Sequence, residues 1–374
     1  LSEFTSFSTS ATFGDINADG FPDLYISNYF YLPLTNSFNV LNEAIINNTF
    51  QPAPDFLFIN AGGKYFIDAT EIYSVDHTGY GFQGVFSDHD NDRDLDLLIV
   101  NDFGTKKTPN VFLRNDFPKK QLKDRSLNMA FNYGMNAMGI ARGDINGDGW
   151  MDYFVTNIGT SLYLENQQNG EPFVDNTFDR GLVKPIIEDP QYNGVPISWG
   201  TIFFDYDHDL DEDLFISNGA LNPTIRLNPN LFFENNGFGF FFERSLFLGL
   251  NDPQIGRGAV TFDYDKDGDL DILVVNQAAR DPGYELPQAR TLLLRNDVAT
   301  RNWLQIELEG VQADKNGIGS RVEVVVGGKK LIREIDGGSS HSSQNSTIAH
   351  FGLDFFQTVD SIIVKWVGGH TQVL

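Results

Sequence analysis

The chain has 374 residues, 41% hydrophobic and 21% charged, which is long enough for two domains with a sizeable core. Its 51 acidic residues against 26 basic ones give a formal charge of −25, a surface that repels a phosphate backbone and excludes nucleic acid as a natural partner. Cysteine is absent, which excludes disulfide frameworks, thiolate metal sites and cysteine catalysis.

No stretch approaches the roughly 18 apolar residues that a membrane-spanning helix needs. The start, LSEFTSFSTS, has neither an initiator Met nor a charged segment followed by an apolar one. The expectation is a chain with no transmembrane segment and no targeting signal of its own, which fits a mature or truncated product and equally a cytosolic fragment, so that localisation rests on the sites.

In chain order, five segments align without gaps: DINADGFPDLYISN from Asp15, DHDNDRDLDLLIVN from Asp88, DINGDGWMDYFVTN from Asp144, DYDHDLDEDLFISN from Asp205 and DYDKDGDLDILVVN from Asp263. Their starts lie 73, 56, 61 and 58 residues apart, a period of one supersecondary unit each. Each acidic loop runs into four or five β-prone residues ending in Asn, a length that predicts a strand. A second short strand ending in Asn follows at 55–60, 110–115, 161–166, 231–235 and 291–296. A third reads as 64–70 or 172–177, and a Gly-rich approach strand such as 79–86 or 256–262 leads into the next loop. Four short strands per unit predict an all-β chain built as a β-propeller, because radial packing buries both faces of each small sheet. A linear β-solenoid or an irregular sandwich is the alternative.

Within each loop, oxygen-bearing side chains fall at relative positions 1, 3, 5 and 9. They are Asp15, Asn17, Asp19 and Asp23; Asp88, Asp90, Asp92 and Asp96; Asp144, Asn146, Asp148 and Asp152; Asp205, Asp207, Asp209 and Asp213; and Asp263, Asp265, Asp267 and Asp271. Carboxylates packed this densely repel one another unless a hard divalent cation sits among them, and calcium accepts six to eight oxygens at loosely defined angles. Magnesium, with its stricter octahedron, fits less well. Position 7 is expected to add a backbone carbonyl from Phe21, Asp94, Trp150, Asp211 or Asp269. Gly20, Gly149 and Gly268 at position 6 suit a sharp turn, whereas Arg93 and Leu210 make the second and fourth loops depart from the pattern. A string of EF-hands fails because the last ligand is Asp at position 9 and strands flank the loops. Solvated Asp turns are the bland alternative, against which stand five copies in register.

With their trailing DLxxxN strands, the loops resemble the FG-GAP or VCBS repeats of integrin α-subunit propellers and bacterial surface proteins, over about residues 11–300. NWLQIELEG (302–310), the stretch 316–353 and VDSIIVKWVGG (359–369) resemble, in order, the ASPIC/UnbV domain that follows such repeats in the cartilage acidic protein family and its bacterial relatives. One departure is Val367, where that family usually has Pro after Trp. The resemblance implies seven blades where five loops are visible, a division into residues 1–300 and 301–374, bound calcium, and a secreted or cell-surface setting.

Read by itself, the C-terminal part alternates in RVEVVV (321–326) and SIIVKW (361–366), which predicts a small antiparallel unit packed on the propeller. Its polar stretch 335–347 reads as a solvated turn or, alternatively, as a binding loop around Asp336, Ser340, His341 and Gln344.

No zinc spacing, nucleophile elbow or phosphate loop occurs, and the clustered carboxylates are accounted for by calcium, so no enzyme is expected. His89 and His208 fall at even loop positions and are expected to point away from the ion. The insertions 29–54, 184–199, 219–230 and 277–290 are the candidate contact surfaces. Tyr29, Tyr31, Ile186 and Ile187 favour a protein partner, while Trp199, Tyr192 and Tyr284 favour a glycan. Up to five calcium ions, acting as structural staples, would change the formal charge from −25 to −15 (−25 plus 10).

Overall fold

The structure is a computed structural model that describes residues 6–31, 51–75, 77–183, 195–221, 227–278, 289–298 and 300–374. The described residues form strands and turns without a helix. The first sheet is β1 (Ser6–Gly14), β2 (Asp23–Tyr31), β3 (Phe56–Asn60) and β4 (Phe66–Asp68), an antiparallel meander. The second repeats that order with β5 (Tyr80–Ser87), β6 (Asp96–Asp102), β7 (Val111–Asp116) and β8 (Lys119–Asp124). The third consists of β9 (Ile140–Gly143), β10 (Asp152–Val155), β11 (Leu162–Glu165) and β12 (Val174–Asp175). The fourth is β13 (Ser198–Phe204), β14 (Asp213–Asn218), β15 (Leu231–Asn235) and β16 (Phe241–Glu243). The fifth holds β17 (Gly256–Phe262), β18 (Asp271–Asn276) and β19 (Leu292–Leu294).

The first strands of successive sheets, β1, β5, β9, β13 and β17, run beside one another, and each acidic loop joins the first strand of a sheet to its second. Among the described residues these five sheets form blades of a β-propeller, where the resemblance implies seven. Strand alternation explains the packing. In β6, Leu97 and Ile99 meet Tyr25 and Leu57 of the first blade, while Leu98 and Val100 meet Tyr153 and Leu164 of the third. Further layers join Phe154 and Tyr163 to Leu214 and Phe233, and Phe215 and Phe232 to Ile272 and Val274. A strand buried on both faces has no polar side, which is why LLIV reads as a continuous apolar run. Gly84 is needed in β5 because a Cβ there would lie 2.3 Å from the Tyr25 ring.

The C-terminal part holds β20 (Trp303–Ile306) paired with β23 (Ala349–Gly352), and a sheet ordered β22 (Lys329–Glu334), β21 (Arg321–Val326), β24 (Ser361–Lys365) and β25 (Thr371–Val373). Its core gathers Leu308, Val322, Val324, Phe351 and Trp366. Between β22 and β23, the polar stretch 335–347 bonds to the first strand of all five blades. Gly337 accepts from Phe13 N at 2.8 Å, Ser340 exchanges two backbone bonds with Ile140 at 2.7 and 2.9 Å, and Ser340 Oγ accepts from Thr201 N at 3.0 Å. Ser342 N donates to Gln83 at 3.0 Å, and Asn345 accepts from Thr261 N at 3.0 Å.

The binding-loop reading is therefore corrected, and the solvated-turn reading is corrected for residues 335–341, which are buried, while Ser342 and Gln344 are exposed as that reading expects. Asp336, Ser340 and His341 are buried and spent on internal bonds that composition cannot reveal, and Gln344, though exposed, donates to the Asp336 carbonyl at 3.1 Å. Trp199 is corrected as well. Its indole is buried, donates to Gly219 at 2.8 Å and carries the Arg257 guanidinium 4.0 Å above its ring, leaving no face for a sugar. Ile186, Ile187, Tyr192 and Tyr284, with most of the four insertions, lie outside the described residues.

Candidate metal centre

The five acidic loops share one backbone conformation. Position 4 takes positive φ throughout, at Ala18 (53°), Asn91 (61°), Gly147 (69°), His208 (62°) and Lys266 (62°). So does position 6, at Gly20 (87°), Arg93 (75°), Gly149 (93°), Leu210 (79°) and Gly268 (99°). Arg93 and Leu210 therefore keep the turn although they lack the glycine, at a cost of roughly 1–2 kcal/mol each. Both side chains reach the C-terminal unit: the Arg93 guanidinium donates to the Gly369 carbonyl, and Leu210 packs against the Leu308 and Val322 core. The two departures from the motif are thus contacts that glycine could not make.

Position 1 holds the turn. Its carboxylate accepts the position 6 N–H in every loop, from Gly20 to Asp15 (2.7 Å), Arg93 to Asp88 (3.1 Å), Gly149 to Asp144 (3.1 Å), Leu210 to Asp205 (3.2 Å) and Gly268 to Asp263 (3.1 Å). Position 9 closes it, accepting the position 2 N–H on one oxygen at Asp23, Asp96, Asp152, Asp213 and Asp271. The other oxygen accepts the backbone N–H of Asn60, Asn115, Asn166, Asn235 or Asn296, at 2.8–2.9 Å. These asparagines are the residues sequence reasoning noted as strand ends without assigning them a role.

The side chains at the odd positions converge. Ligand atoms of Asp88, Asp90 and Asp92 lie within 4.8 Å of one another, as do those of Asp205, Asp207 and Asp213, and of Asp263, Asp265 and Asp271. No such trio occurs in the first and third loops among the described residues, where Asn17 and Asn146 put an amide in place of a carboxylate. Position 7 also differs: Phe21 and Trp150 are aromatic there, whereas Asp94, Asp211 and Asp269 bring further carboxylates. His89 does not turn away as expected. It is buried against Asp96 and edge-on to Phe112 at 4.6 Å, while His208 faces Asp269 of the next loop at 3.8 Å.

Burial raises Asp23, Asp88 and Asp205 to about 8 and Asp144 to about 7, with carboxylates of the same loop adding to the effect. Asp90 Oδ1, Asp94 Oδ1, Asp211 Oδ1 and Asp263 Oδ1 are buried without a hydrogen-bond partner. In the second loop a ring nitrogen of His89 also lies within 4.8 Å of ligand atoms of Asp90 and Asp96. The carboxylate trios, with their buried, unpartnered oxygens, fit a hard divalent cation, which would offset both the repulsion and the burial.

Every acidic loop also touches the C-terminal unit. Gly20 lies so close to Gln312 that a Cβ would sit 2.8 Å from its carbonyl, Arg93 bonds Gly369, and Arg321 donates to Gly149 at 2.6 Å. Asp354 N donates to the His208 carbonyl at 2.8 Å, and Gln305 donates to Asp263 at 2.8 Å.

Comparison with known proteins agrees with this geometry. A family model described as FG-GAP repeat matches residues 7–40, one described as FG-GAP-like repeat matches 88–155, and one described as ASPIC and UnbV matches 310–374. Cartilage acidic protein 1 of Mus musculus is 27% identical over 241 residues, covering 62% of this chain and 34% of the relative. The protein of the same name from Homo sapiens is 27% identical over 241 residues, covering 62% and 33%. The chain thus spans about a third of the length of these curated relatives. Among solved structures, an Agrocybe aegerita lectin described as recognising non-reducing terminal N-acetylglucosamine aligns over 98% of this chain and 85% of its own, at 14% identity and a TM-score of 0.40. On its sheets and its family-model matches, the chain is a β-propeller with FG-GAP-type repeats at residues 7–40 and 88–155, followed at 310–374 by a segment that matches the ASPIC and UnbV model.

Proposed function

We propose that this chain is a non-catalytic extracellular interaction scaffold whose acidic loops hold calcium as structural staples. The observation that carries the reading is the loop geometry: five turns of one conformation, of which the second, fourth and fifth bring carboxylates together and hold buried oxygens that lack partners. Asp15, Asp19, Asp23 and their counterparts, with Asn17 and Asn146, would hold the ions. An ion there supplies positive charge and oxygen coordination that the unfolded chain cannot assemble, so it favours the folded state by mass action. Loops that both fix the blades and seat the C-terminal unit make calcium a condition of the whole architecture.

The extracellular setting rests on calcium chemistry and on the relatives' name, which associates them with cartilage. Extracellular modules bind calcium at roughly 10⁻⁴–10⁻³ M, where the ion is always present. A protein partner is favoured over a glycan, since Trp199 is buried, while the rim of the fourth blade exposes Phe238 and Phe247.

The test is thermal melting with excess calcium and with a chelator, alongside a metal count by native mass spectrometry. A large calcium-dependent rise with several ions bound is the expected result. No shift and no bound ion would overturn the reading.

A further inference from the structure

The five loops fall into two classes. The first and third carry Asn at position 3 and an aromatic residue at position 7, leaving three carboxylates each: Asp15, Asp19 and Asp23, and Asp144, Asp148 and Asp152. The second, fourth and fifth carry Asp at every odd position, five carboxylates each. In each of those three a guanidinium lies near the position 3 carboxylate: Arg114 at 2.8 Å from Asp90, Arg301 at 3.2 Å from Asp207, and Arg295, whose closer partner is Asp297, at 3.6 Å from Asp265.

The arginines arrive by two routes. Arg114 and Arg295 occupy equivalent places, one residue before Asn115 and Asn296. The fourth blade has Glu234 at that place, which cannot pair with a carboxylate, and there Arg301 comes in from the segment after the fifth sheet. It also reaches Asp209 at 3.7 Å and Asp354 at 3.3 Å. In the first and third blades the place is taken by Ile59 and Glu165, and no ion pair reaches the carboxylates of those loops among the described residues. Where the loop has an extra acid at position 3, a positive side chain has been placed on it.

We propose that Arg114, Arg295 and Arg301 are built-in counter-ions that set the calcium affinity of the three five-carboxylate loops, competing with the ion for the position 3 carboxylate. This deepens the calcium reading and rests on it. A fixed positive charge within a few ångströms of a doubly charged ion weakens its binding, and offsets part of what two additional carboxylates would add. The consequence is that three-carboxylate and five-carboxylate loops fill over a similar range of calcium concentration, instead of the latter saturating far earlier.

The experiment uses the whole chain and its variants Arg114→Ala, Arg295→Ala and Arg301→Ala, titrated with calcium by isothermal calorimetry, with ions counted by native mass spectrometry. Each substitution is expected to tighten one site by about tenfold or more, and to lower the melting temperature in chelator. Arg114→Lys, which keeps the charge, is expected to stay near the parent affinity, and covers the case in which an alanine variant fails to fold. Unchanged affinity in the alanine variants, or loss of a bound ion from them, would overturn the proposal while leaving the calcium reading intact. A parent chain that binds no calcium would overturn the calcium reading. In that case a new site in Arg114→Ala would still support the competition, and its absence would end it.

Discussion

Asn115, at the end of β7 in the second blade, donates its side-chain amide at 2.9 Å to the backbone carbonyl of Ile16 in the acidic loop of the first blade. The same latch recurs at each later junction. Asn166 reaches the His89 carbonyl at 2.9 Å, Asn235 that of Ile145 at 3.3 Å, and Asn296 that of Tyr206 at 2.7 Å. Because each asparagine N–H also bonds the position 9 aspartate of its own loop, the loops are strung together blade by blade.

Replacing one latch therefore acts on two blades. Asn166→Ala removes bonds to His89 and Met151 and leaves buried carbonyls without a donor, so a loss of about 2–3 kcal/mol is expected. Urea unfolding in saturating calcium measures it. A change within a few tenths of a kcal/mol would show that water replaces the amide.

The stretch through the blade centres leaves no room for a larger residue. A Cβ on Gly337 would lie 1.9 Å from the Phe13 carbonyl, so Gly337→Ala must shift β1 or the stretch itself. A loss of about 3 kcal/mol or more is expected, as for overpacked cores. A chain ending at residue 300, which would leave Thr201 N and Thr261 N without these partners, is expected to be insoluble or open. A soluble fragment with the parent's melting temperature would contradict both expectations.

His341 makes stability depend on pH. Burial, opposed by its bond to the Met138 carbonyl at 2.7 Å and reinforced by Arg257, lowers it from 6.5 to about 4. Between those values the unfolded chain binds a proton that the folded chain does not, so stability falls as pH drops from 6.5 to about 4 and this group adds nothing further below. The span corresponds to about 3 kcal/mol. Stability curves for the parent and His341→Gln should converge as the pH falls through that window, and parallel curves would show that the histidine ionises in the fold.

Chelation should reach beyond the loops. Asp354 N bonds His208 and Gly368 N bonds the Arg93 carbonyl at 3.2 Å, so loosening the second and fourth loops frees amides of the C-terminal unit. Hydrogen exchange in chelator is expected to accelerate around residues 353–356 and 366–370 together with the loops. Faster exchange in the loops alone would mean that docking is independent of the ions.

Locally encoded features were legible from the sequence. The Asp spacing, the strand after it and the turn signals act over fewer than about fifteen residues, and five copies in register raised them above chance. The sequence by itself thus determined the blade unit, the acidic loops and the C-terminal sheet strands around Val322 and Val364. Only the tertiary structure decided what depends on distant partners. Arg93 and Leu210 looked like defects because the Gly369 carbonyl and the Leu308 core lie far along the chain. Residues 335–347 looked solvated because small polar side chains are equally at home in water and among backbone groups, and only the five first strands supply those groups. The terminal asparagines were visible as a pattern, yet their role appears only when one blade is set beside the next, where a buried carbonyl needs a donor that its own blade cannot provide.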